Sequence, residues 1–542
     1  MASPLSDSEG WPSTAAIAWL VGICTIYVVA LRFSLKRDDP REPPVVAPTI
    51  PIPFIGHLLG MAIQGGRYVK NLGLRHRSMP IFTMRILNQR IYIVTSPALA
   101  AAVQRASKTL SFTPIIPEVT RPVLGLDDAT VAIVRSNLDP GPDDEQGYLS
   151  EIQGMVYTSL GPGTYLNELT LDAVRELSTE VAAYAASVEP RGTKVPTDLL
   201  LWIRHVVTVA TANYLYGPEN PIALDPELEE AFWDFDHGLT ALLIDVYPSL
   251  TARKGYMGRE RLAAALGDYL EAGRDKTGSK IIQKRVELAL KYGWTLRMAA
   301  RSELSFLFAA IVNTTTATFW ILLRLYADKA LLEAVRGEIA AATEPGEERD
   351  HGRGRRRRNK LRIPALGDRC PMLTAVYSEC LRLGSDNFSN RKVKEDTVLA
   401  DRYLLRKGAI VQIAGGVIHA DEAVWGDDAV AFNPRRFLGG TAKGQRHPAA
   451  FRAFGGGKTL CPGRHFARNE ILAFAALVVT RFDVDAPHGG AIKVPEKKDT
   501  GLPVHILEPT EPVKVVISNR VEGAIDIGDV EFTMEPSSSE NS

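Results

Sequence analysis

One cysteine lies in a sequence context that suits reactive chemistry. Cys461 is part of "FGGGKTLCPGRHFA", which begins at Phe454 and places three consecutive glycines before the cysteine and a Pro-Gly pair after it. Glycines at 455, 456 and 457 let the backbone bend closely around a bound group and leave N–H groups free. The residues that follow have helical spacing, with Pro462 suited to a first helical position. Cys461 would then lie at a helix N-terminus, where the helix dipole favours thiolate over thiol.

The remaining composition excludes several other classes of protein. Cys24, Cys370 and Cys380 are scattered along the 542 residues, which fits neither a disulfide framework nor a paired-cysteine metal site. We therefore expect a reducing compartment for most of the chain. The formal net charge is zero, so nothing favours nucleic-acid binding, which needs an excess of basic residues.

The cysteine loop suits a planar cofactor. Haem iron can be held by a cysteine thiolate, and the alternative is a structural cysteine beside a turn. The loop resembles the haem-binding loop of the cytochrome P450 family, whose usual form is Phe-x-x-Gly-x-Arg-x-Cys-x-Gly. Phe454, Gly457, Cys461 and Gly463 match this form, which implies haem b with Cys461 as the iron ligand. Thr459 replaces the usual arginine, which in the family pairs with a haem propionate.

Three residues that precede the loop extend the resemblance. "YSECLRLGS" supplies Glu379 and Arg382, which are three residues apart and can pair on one helical face. "FNPRRF" supplies Arg436. Taken alone, such a pair is common on surface helices. In the family, residues in these positions form a buried triad that braces the haem loop, and the resemblance implies the same structural role here.

A propionate partner other than Thr459 is also implied by the resemblance. Arg391, in "NFSNRKVKED", falls where the family often places a propionate-binding arginine, although a plain surface residue is the alternative. The Trp-x-x-x-Arg pairing that is usual in the family is not visible in "YLSEIQGMVY" (148–157). Together the matching segments cover roughly residues 40 to 520.

A long apolar stretch carries polar residues at its middle. In "LSFLFAAIVNTTTATFWILLRLYAD", Ala310, Asn313, Thr314 and Ala317 recur at helical spacing and share one face. In the family this helix crosses the distal haem face, and an acid followed by a threonine relays protons during oxygen activation. Asn313 occupies the acid position and Thr314 the alcohol position. Asparagine orients water but cannot itself deliver a proton. The alternative is that these hydroxyl groups bond back to helix carbonyls.

The residues leave more than one reaction open. Asn-Thr followed by "ATFW", with "KTLCPGR" further on, is most similar to the branch of the family that holds sterol 7α-hydroxylases and prostacyclin synthase. This similarity implies a monooxygenase that uses O₂ to hydroxylate or epoxidise a lipophilic substrate, such as a sterol, a terpenoid or another fungal secondary-metabolite intermediate. An isomerase or dehydratase that needs no reductase is the alternative, and a non-catalytic haem-binding protein is a third hypothesis.

A monooxygenase of this type requires electrons from a partner. About 80 residues follow Cys461, too few for a flavin or nicotinamide domain. We therefore expect NADPH–cytochrome P450 reductase to deliver the electrons, and Arg464 and Arg468 could contribute to its basic docking surface. The family layout places the substrate pocket among segments 112–123, 232–239, 306–312 and 504–507.

The N-terminal segment predicts a membrane anchor. "TAAIAWLVGICTIYVVAL" runs from Thr14 to Leu31 without a charge, and about 18 apolar residues can just span a bilayer as a helix. Acidic residues precede it and four basic residues follow it, up to Arg41. The positive-inside rule then places the N-terminus in the lumen and the catalytic part in the cytosol. We expect a single-pass protein of the endoplasmic reticulum membrane.

The chain divides into four parts. Residues 1–35 are the lumenal N-terminus and anchor, 36–56 a proline-rich linker, 57–520 the haem-thiolate catalytic domain and 521–542 a flexible acidic tail. "MPIFTMRILNQRIYIVTSP" alternates and predicts a β-hairpin, whereas helical periodicity dominates from Tyr148 to Tyr326. The basic insert between Glu344 and Lys360 is interpreted as a solvated loop. The fold class is therefore mainly α with small β-sheets, the cytochrome P450 fold preceded by one transmembrane helix.

Overall fold

The fold is mainly α with small β-sheets, as the sequence predicts. The structure is a computed structural model that describes residues 14–35, 37–141, 143–188, 194–345, 348–350, 355–357, 359–439, 446–501, 505–520 and 530–534. Helices account for most of the ordered elements, and the strands form sheets of two to five members.

The helices differ widely in length, from single turns to one of 32 residues. They are α1 (Thr14–Leu35), α2 (Gly56–Gln64), α3 (Gly66–Arg75), α4 (Pro97–Arg105), α5 (Ile116–Leu124), α6 (Asp128–Arg135), α7 (Tyr148–Ser159), α8 (Thr164–Ser187), α9 (Leu199–Tyr216), α10 (Pro221–Leu224), α11 (Glu227–Ile244), α12 (Pro248–Thr251), α13 (Arg253–Glu271), α14 (Lys280–Lys291), α15 (Leu296–Ala327), α16 (Lys329–Ala342), α17 (Ile363–Asp368), α18 (Pro371–Gly384), α19 (Gly415–His419), α20 (Glu422–Trp425) and α21 (Arg464–Arg481).

The strands are short and contribute to five sheets within the described ranges. They are β1 (Ile81–Ile86), β2 (Gln89–Val94), β3 (Leu110–Ser111), β4 (Val195–Asp198), β5 (Thr343–Glu344), β6 (Glu348–Asp350), β7 (Arg355–Arg357), β8 (Asn359–Arg362), β9 (Phe388–Val393), β10 (Thr397–Leu399), β11 (Tyr403–Leu405), β12 (Ile410–Ala414), β13 (Phe482–Asp485), β14 (Lys514–Asn519) and β15 (Val530–Thr533). The sheet orders are β1-β2-β12-β9-β3, β10-β11, β13-β14-β4, β15-β8-β5 and β6-β7.

The core is organised around α15. This helix begins at Thr295, whose side chain accepts a hydrogen bond from the Met298 N–H, as an N-cap should. It packs against α9, α13, α18 and α21. By length and composition α15 could cross a membrane, but 72% of its apolar window is buried inside the fold, so it is the central core helix.

One face of α15 is an exception to this burial. Ala309 is exposed at the middle of the helix, and Ala310 and Asn313 are half-buried, whereas Ile311, Val312 and the residues from 314 to 323 are buried. An accessible stripe in the middle of a core helix shows that this face borders a cleft. The sequence predicted one face with Ala310, Asn313, Thr314 and Ala317; Ala310 and Asn313 lie on the accessible stripe, whereas Thr314 and Ala317 are buried.

The predicted hairpin is confirmed as β1 and β2. Ile81 pairs with Val94 and Ile86 with Gln89, so Leu87 and Asn88 form the turn. β12 adds in parallel to β2 and then pairs antiparallel with β9. This sheet positions Arg391 in β9.

Two surface segments differ from their expected description. The basic insert contains an antiparallel ladder between β6 and β7 where the sequence predicted a loop. Val530–Thr533, in the predicted flexible tail, forms a parallel pair with β8. Val530 and Leu361 are both buried in the same hydrophobic cluster, and this burial explains why the strand forms despite an acidic surrounding sequence. The rest of the predicted tail, 521–529 and 535–542, lies outside the described residues.

Candidate active site

The cysteine loop has a tightly determined backbone. The Cys461 N–H donates to the Phe454 carbonyl oxygen at 2.9 Å, which closes the loop over the glycines. Gly457 adopts a φ of +62°, and a Cβ there would lie 2.9 Å from Cβ of Gln104. A Cβ on Gly456 would lie 2.1 Å from the Gln104 side-chain nitrogen. The loop therefore needs glycine both for its left-handed backbone and for its close approach to α4.

The position of Cys461 corrects two details of the sequence-based prediction. The helix begins at Arg464, not at Pro462, so Cys461 precedes the first turn. Burial raises the pKa of the Cys461 thiol, although the Gly463 N–H and the Arg464 charge lower it. In the chain alone, burial outweighs these two contributions and the pKa of the Cys461 thiol is raised, so the position before a helix does not by itself produce a thiolate.

Glu379, Arg382 and Arg436 meet in the interior. Arg382 donates from Nε and Nη2 to the two Glu379 oxygens at 2.8 and 2.7 Å, and Arg436 donates from Nε to Glu379 Oε1 at 3.0 Å. Both arginines also bind backbone carbonyls, including His419 O for Arg382 and Trp425 O for Arg436. The structure thus brings together the three residues that the sequence grouped, and ties α18 to the segment that leads into the cysteine loop.

Arg391 lies beside the loop together with a second arginine. Arg391 is 5% exposed and donates from Nη2 to the Thr459 hydroxyl at 2.5 Å. Arg452 is 2% exposed, and Nη2 donates to Ser389 Oγ at 3.4 Å. Within the described ranges neither guanidinium has a carboxylate partner. Burial and the Arg391 charge lower the pKa of Arg452 to about 10, so two buried cations face each other without an anion.

Tyr157 occupies the side of the loop where the family's Trp-x-x-x-Arg pairing is missing. It projects from α7, and its hydroxyl donates to the Leu460 carbonyl at 2.5 Å and to the Lys458 carbonyl at 3.1 Å. A neutral hydroxyl therefore holds the residue immediately before Cys461.

The polar middle of α15 is connected to a buried acid in α21. Thr314 Oγ1 donates to Glu470 Oε2 at 3.0 Å, and the Tyr214 hydroxyl donates to Glu470 Oε1 at 3.2 Å. Burial raises the pKa of Glu470 to about 7, while the two hydroxyl donors lower it. Near neutral pH this carboxyl is therefore about half protonated.

Asn313 and the other threonines have different partners. Asn313 Oδ1 accepts from the Ile506 N–H at 3.0 Å, which attaches the 505–507 segment to α15. Thr316 Oγ1 bonds back to the Val312 carbonyl at 3.1 Å, as the alternative interpretation requires. Thr314 does not bond back in this way, because its hydroxyl is directed to Glu470. The structural interpretation therefore suits Thr316, whereas the Thr314 hydroxyl binds a buried acid on another helix.

The residues present fit a haem. A cysteine sulfur on a glycine-rich loop would supply a soft ligand to haem iron, and the half-buried Asn313 and Ala310 leave one stripe of α15 open beside the core. Arg391 and Arg452 are buried cations that lack an acidic partner in the described part of the chain, and haem propionates are anions of the required kind. The positive charge of the two arginines, the sulfur of Cys461 and the space left by the loop glycines all suit haem.

Sequence reasoning missed Glu470, Arg452 and Tyr157. Glu470 had a signal, since a lone acid within the apolar run "NEILAFAALVV" is expected to be paired or shifted in pKa. Arg452 and Tyr157 had none, because their roles arise from contacts between segments far apart in the chain.

Known proteins match this chain along nearly its whole length. The profile of the Cytochrome P450 family matches residues 294–516, which contain α15, the buried triad and the cysteine loop. The cytochrome P450 monooxygenase nodJ of Hypoxylon pulicicidum is 31% identical over 508 residues, 91% of this chain and 93% of that protein. A cytochrome P450 monooxygenase of Gibberella zeae is 30% identical, with 94% of each chain covered.

More distant relatives point in the same direction. Cholesterol 7-alpha-monooxygenase of Cricetulus griseus is 23% identical, covering 92% of this chain and 98% of that protein. Among solved structures, the retinoic acid-bound cyanobacterial CYP120A1 superposes with a TM-score of 0.65 at 20% identity, covering 88% of this chain and all of that chain; this likeness establishes the fold. With the cysteine loop in place and full-length relatives at 30% identity or more, the chain belongs to the cytochrome P450 family and is a monooxygenase-type oxidoreductase that uses haem.

Proposed function

We propose that this protein is a membrane-anchored haem-thiolate monooxygenase that hydroxylates or epoxidises a lipophilic substrate with O₂ and electrons from NADPH–cytochrome P450 reductase. The observation that carries the proposal is the placement of Cys461 on a glycine-rich loop, with the Thr314–Glu470 contact joining α15 to the helix that follows that loop. Haem supplies the iron on which O₂ is activated.

The haem-holding residues are Cys461, Arg391 and Arg452. Cys461 would ligate the iron, and the two arginines would bind the propionates, with Arg452 taking the role of the arginine that Thr459 replaces. Gly457 and Gly463 allow close approach of the loop, and Phe454 closes it through its carbonyl. The Glu379–Arg382–Arg436 triad braces the segment that leads into the loop, since all three side chains are buried and mutually bonded.

Thr314 and Glu470 move the protons that oxygen reduction consumes. A carboxyl whose pKa is about 7 can hold a proton and release it at neutral pH, which is the property required of a general acid. The Thr314 hydroxyl binds that carboxyl on the buried side of α15, next in sequence to the half-buried Asn313. Asn313 keeps the 505–507 segment in place and can order water beside Thr314. This arrangement offsets the absence of an acid at position 313.

The substrate is proposed to be a sterol, a terpenoid or another secondary-metabolite intermediate. The fungal relatives are named monooxygenases, and more distant relatives include cholesterol 7-alpha-monooxygenases. The predicted pocket segments 232–239, 306–312 and 505–507 lie in or against the core, while Val504 is outside the described residues.

Anchoring in the endoplasmic reticulum membrane is proposed from two exposed apolar surfaces. Trp19, Ile23 and Phe33 of α1 are exposed, and α1 has 22 residues, a length of about 33 Å that spans a bilayer core. A second surface at the end of α11 and in α12 exposes Ile244, Val246, Tyr247 and Leu250. Apolar groups of this size are stabilised by lipid.

The haem assignment is tested by the reduced-plus-CO difference spectrum of the full-length protein. The wild type should show a Soret band near the long-wavelength position that a thiolate ligand produces, and Cys461→Ser should lose that band. A wild-type protein that binds haem without this band would contradict the assignment. A matched control is Cys380→Ser, because Cys380 is buried in α18, away from the loop.

The reaction type is tested by product formation with and without the reductase. A monooxygenase needs NADPH and the reductase, and incorporates one atom of labelled O₂ into product. An isomerase or dehydratase would turn over without either and would incorporate no label. Reductase-independent turnover would therefore overturn the monooxygenase assignment and leave the haem assignment intact.

A further inference from the structure

One buried carboxylate lies outside the machinery described so far. Asp236 is in α11, its side chain is fully buried, and neither of its oxygens has a hydrogen-bond partner among the described residues. An unpaired buried polar group is costly, on the order of 1–3 kcal/mol and more when it is charged. Proteins tolerate such a cost where a ligand supplies the missing partner.

The charged groups around Asp236 do not supply that partner. Glu508 pairs with Arg204, and His237 Nε2 lies 3.1 Å from Arg204 Nη2 and 3.5 Å from Glu508. His505 Nε2 is 3.8 Å from Asp236 Oδ1, which is too long for a hydrogen bond. Burial and the Glu508 charge raise the pKa of Asp236, and the charges of His505, His237 and Arg204 lower it. Asp236 is thus beside a charge network that is already complete.

A metal ion does not suit this network. Ligand atoms of Asp236, His237 and Glu508 lie within 4.8 Å of one another, but Arg204 already contacts both Glu508 and His237. The guanidinium also stacks 4.4 Å over the Trp233 ring. A divalent cation would have to displace a bound cation that is held by three partners.

His505 lies between Asp236 and α15. The His505 ring lies 6.4 Å from the ring of Phe308 in α15, and the next residue, Ile506, donates its N–H to Asn313. Phe308 precedes Asn313 by five residues, or about 7.5 Å along the helix axis. The segment that carries His505 therefore bridges Asp236 and the polar middle of α15.

We propose that Asp236, beside His505, accepts a hydrogen bond from a donor group on the substrate, a hydroxyl or an amine N–H, and thereby orients an otherwise apolar molecule over α15. The proposal rests on the proposed monooxygenase function and deepens it by naming a substrate feature. The donor would lie away from the polar middle of α15, because Asp236 reaches Asn313 only through His505 and Ile506. A substrate without a donor at that end would leave the carboxylate unpaired.

The test uses iron-binding probes on the haem-loaded, full-length protein. The probes are 1-substituted imidazoles of graded chain length that end in a hydroxyl, an amine, a methoxy or a methyl group. Binding is followed by the shift of the Soret band, so no substrate needs to be known. Hydroxyl and methoxy ends are both polar, but only the hydroxyl donates a hydrogen bond.

At the matching chain length, the wild type should bind a donor-ended probe about tenfold more tightly than the methoxy-ended probe, the effect of one hydrogen bond to a charged group. Asp236→Leu should abolish this preference and leave the affinity for the methyl-ended probe within about twofold. Asp236→Asn, which keeps an acceptor, should retain part of it. A larger loss for the amine than for the hydroxyl in Asp236→Asn would identify the donor as a cation.

Asp234→Leu is the matched control, because Asp234 is only partly buried and, two residues before Asp236 on α11, projects about 200° around the helix from it; its preference should equal that of the wild type. Equal affinity of hydroxyl- and methoxy-ended probes for the wild type at every chain length would overturn the proposal, even if Asp236→Leu does not fold. An unchanged preference in a folded Asp236→Leu would also overturn it. If no probe shifts the Soret band although the reduced-plus-CO band is normal, no ligand path joins Asp236 to the iron and the proposal is overturned; loss of the CO band would be the separate failure of the haem-thiolate assignment.

Discussion

Two buried carboxylates, Glu379 in α18 and Asp236 in α11, lie in opposite surroundings. Glu379 receives three hydrogen bonds from Arg382 and Arg436 and a fourth from the Asn433 N–H. Asp236 receives none from the described residues. A saturated carboxylate holds its neighbours in one geometry and has no capacity for a ligand, whereas an unsaturated one keeps that capacity at a cost in stability.

Glu470 lies between these extremes, and the three acids together separate the regions of the site. Its partners, Thr314 and Tyr214, are neutral hydroxyls, so they satisfy the oxygens without stabilising the negative charge as an arginine does. On the cysteine side, Glu379 is fully ion-paired and stabilises the segment that leads into the loop. Between α15 and α21, Glu470 can exchange a proton. In α11, Asp236 is free to bind a ligand.

The largest expected effect comes from removing Glu379, whose oxygens are fully hydrogen-bonded. Glu379→Ala leaves two buried guanidinium groups without their anion, and removing one partner of a buried pair costs about 3–5 kcal/mol. We expect almost no holoprotein, measured as haem content and CO-difference band after expression. The control is Glu333→Ala, whose pair with Arg336 is half open to solvent and should cost less than about 1 kcal/mol. Normal haem content in Glu379→Ala would refute the bracing role.

The raised pKa of Glu470 should make the free energy of unfolding depend on pH. Burial raises the pKa of Glu470 from 4.5 to about 7, so the folded state binds more protons than the unfolded state between these values. The free energy of unfolding should therefore fall as pH rises from about 4.5 to about 7, by an amount on the order of 3 kcal/mol.

Glu470→Gln removes this titration, so the free energy of unfolding of the variant should change less with pH than that of the wild type. Thermal or urea unfolding of the wild type and the variant across that pH range measures it directly. Parallel curves for the two proteins would show that Glu470 is ionised throughout, and its place in proton transfer would then be lost.

Removing one of the two arginines next to the loop should have a smaller effect. It should weaken haem binding but should not lower the stability of the apoprotein. Arg452→Leu removes one propionate partner, so haem should dissociate about tenfold faster or more. The apoprotein should be no less stable than the wild type, because an unpaired buried cation has been removed. Haem transfer to an acceptor protein and unfolding of the apoprotein provide the two measurements. Exposed Arg435 supplies the control, Arg435→Leu, and equal rates of haem loss in all three proteins would exclude Arg452.

The smallest effect separates two neighbouring threonines. Thr314→Val leaves Glu470 Oε2 without its donor and should increase the release of hydrogen peroxide per NADPH consumed, with a stability change of about 1 kcal/mol. Thr316→Val removes only a bond back to the Val312 carbonyl and should change neither coupling nor product yield. Equal coupling in the two variants would show that the Thr314–Glu470 contact is structural.

Much of the fold was accessible from local pattern. The β1–β2 hairpin, the helical stretch from Tyr148 to Tyr326 and the mainly α class follow from side-chain periodicity, which reports which face of an element is buried. The basic insert was predicted as a loop because its charged residues show no strand periodicity, yet its backbone forms the β6–β7 ladder. The Val530–Thr533 strand was missed because its partner, β8, is far away in sequence. Periodicity carries no information about such pairing.

The sequence by itself determined the chemistry: a cysteine between glycines, a Glu-x-x-Arg pair and a polar break in an apolar helix are each recorded in adjacent residues. Only the tertiary structure decided the electrostatic state of the site. It placed Arg452 beside Arg391, directed Thr314 to Glu470, raised the pKa of the Cys461 thiol and left Asp236 without a partner. These properties depend on desolvation and on distances between segments that are remote in the chain, and neither quantity exists until the chain is folded.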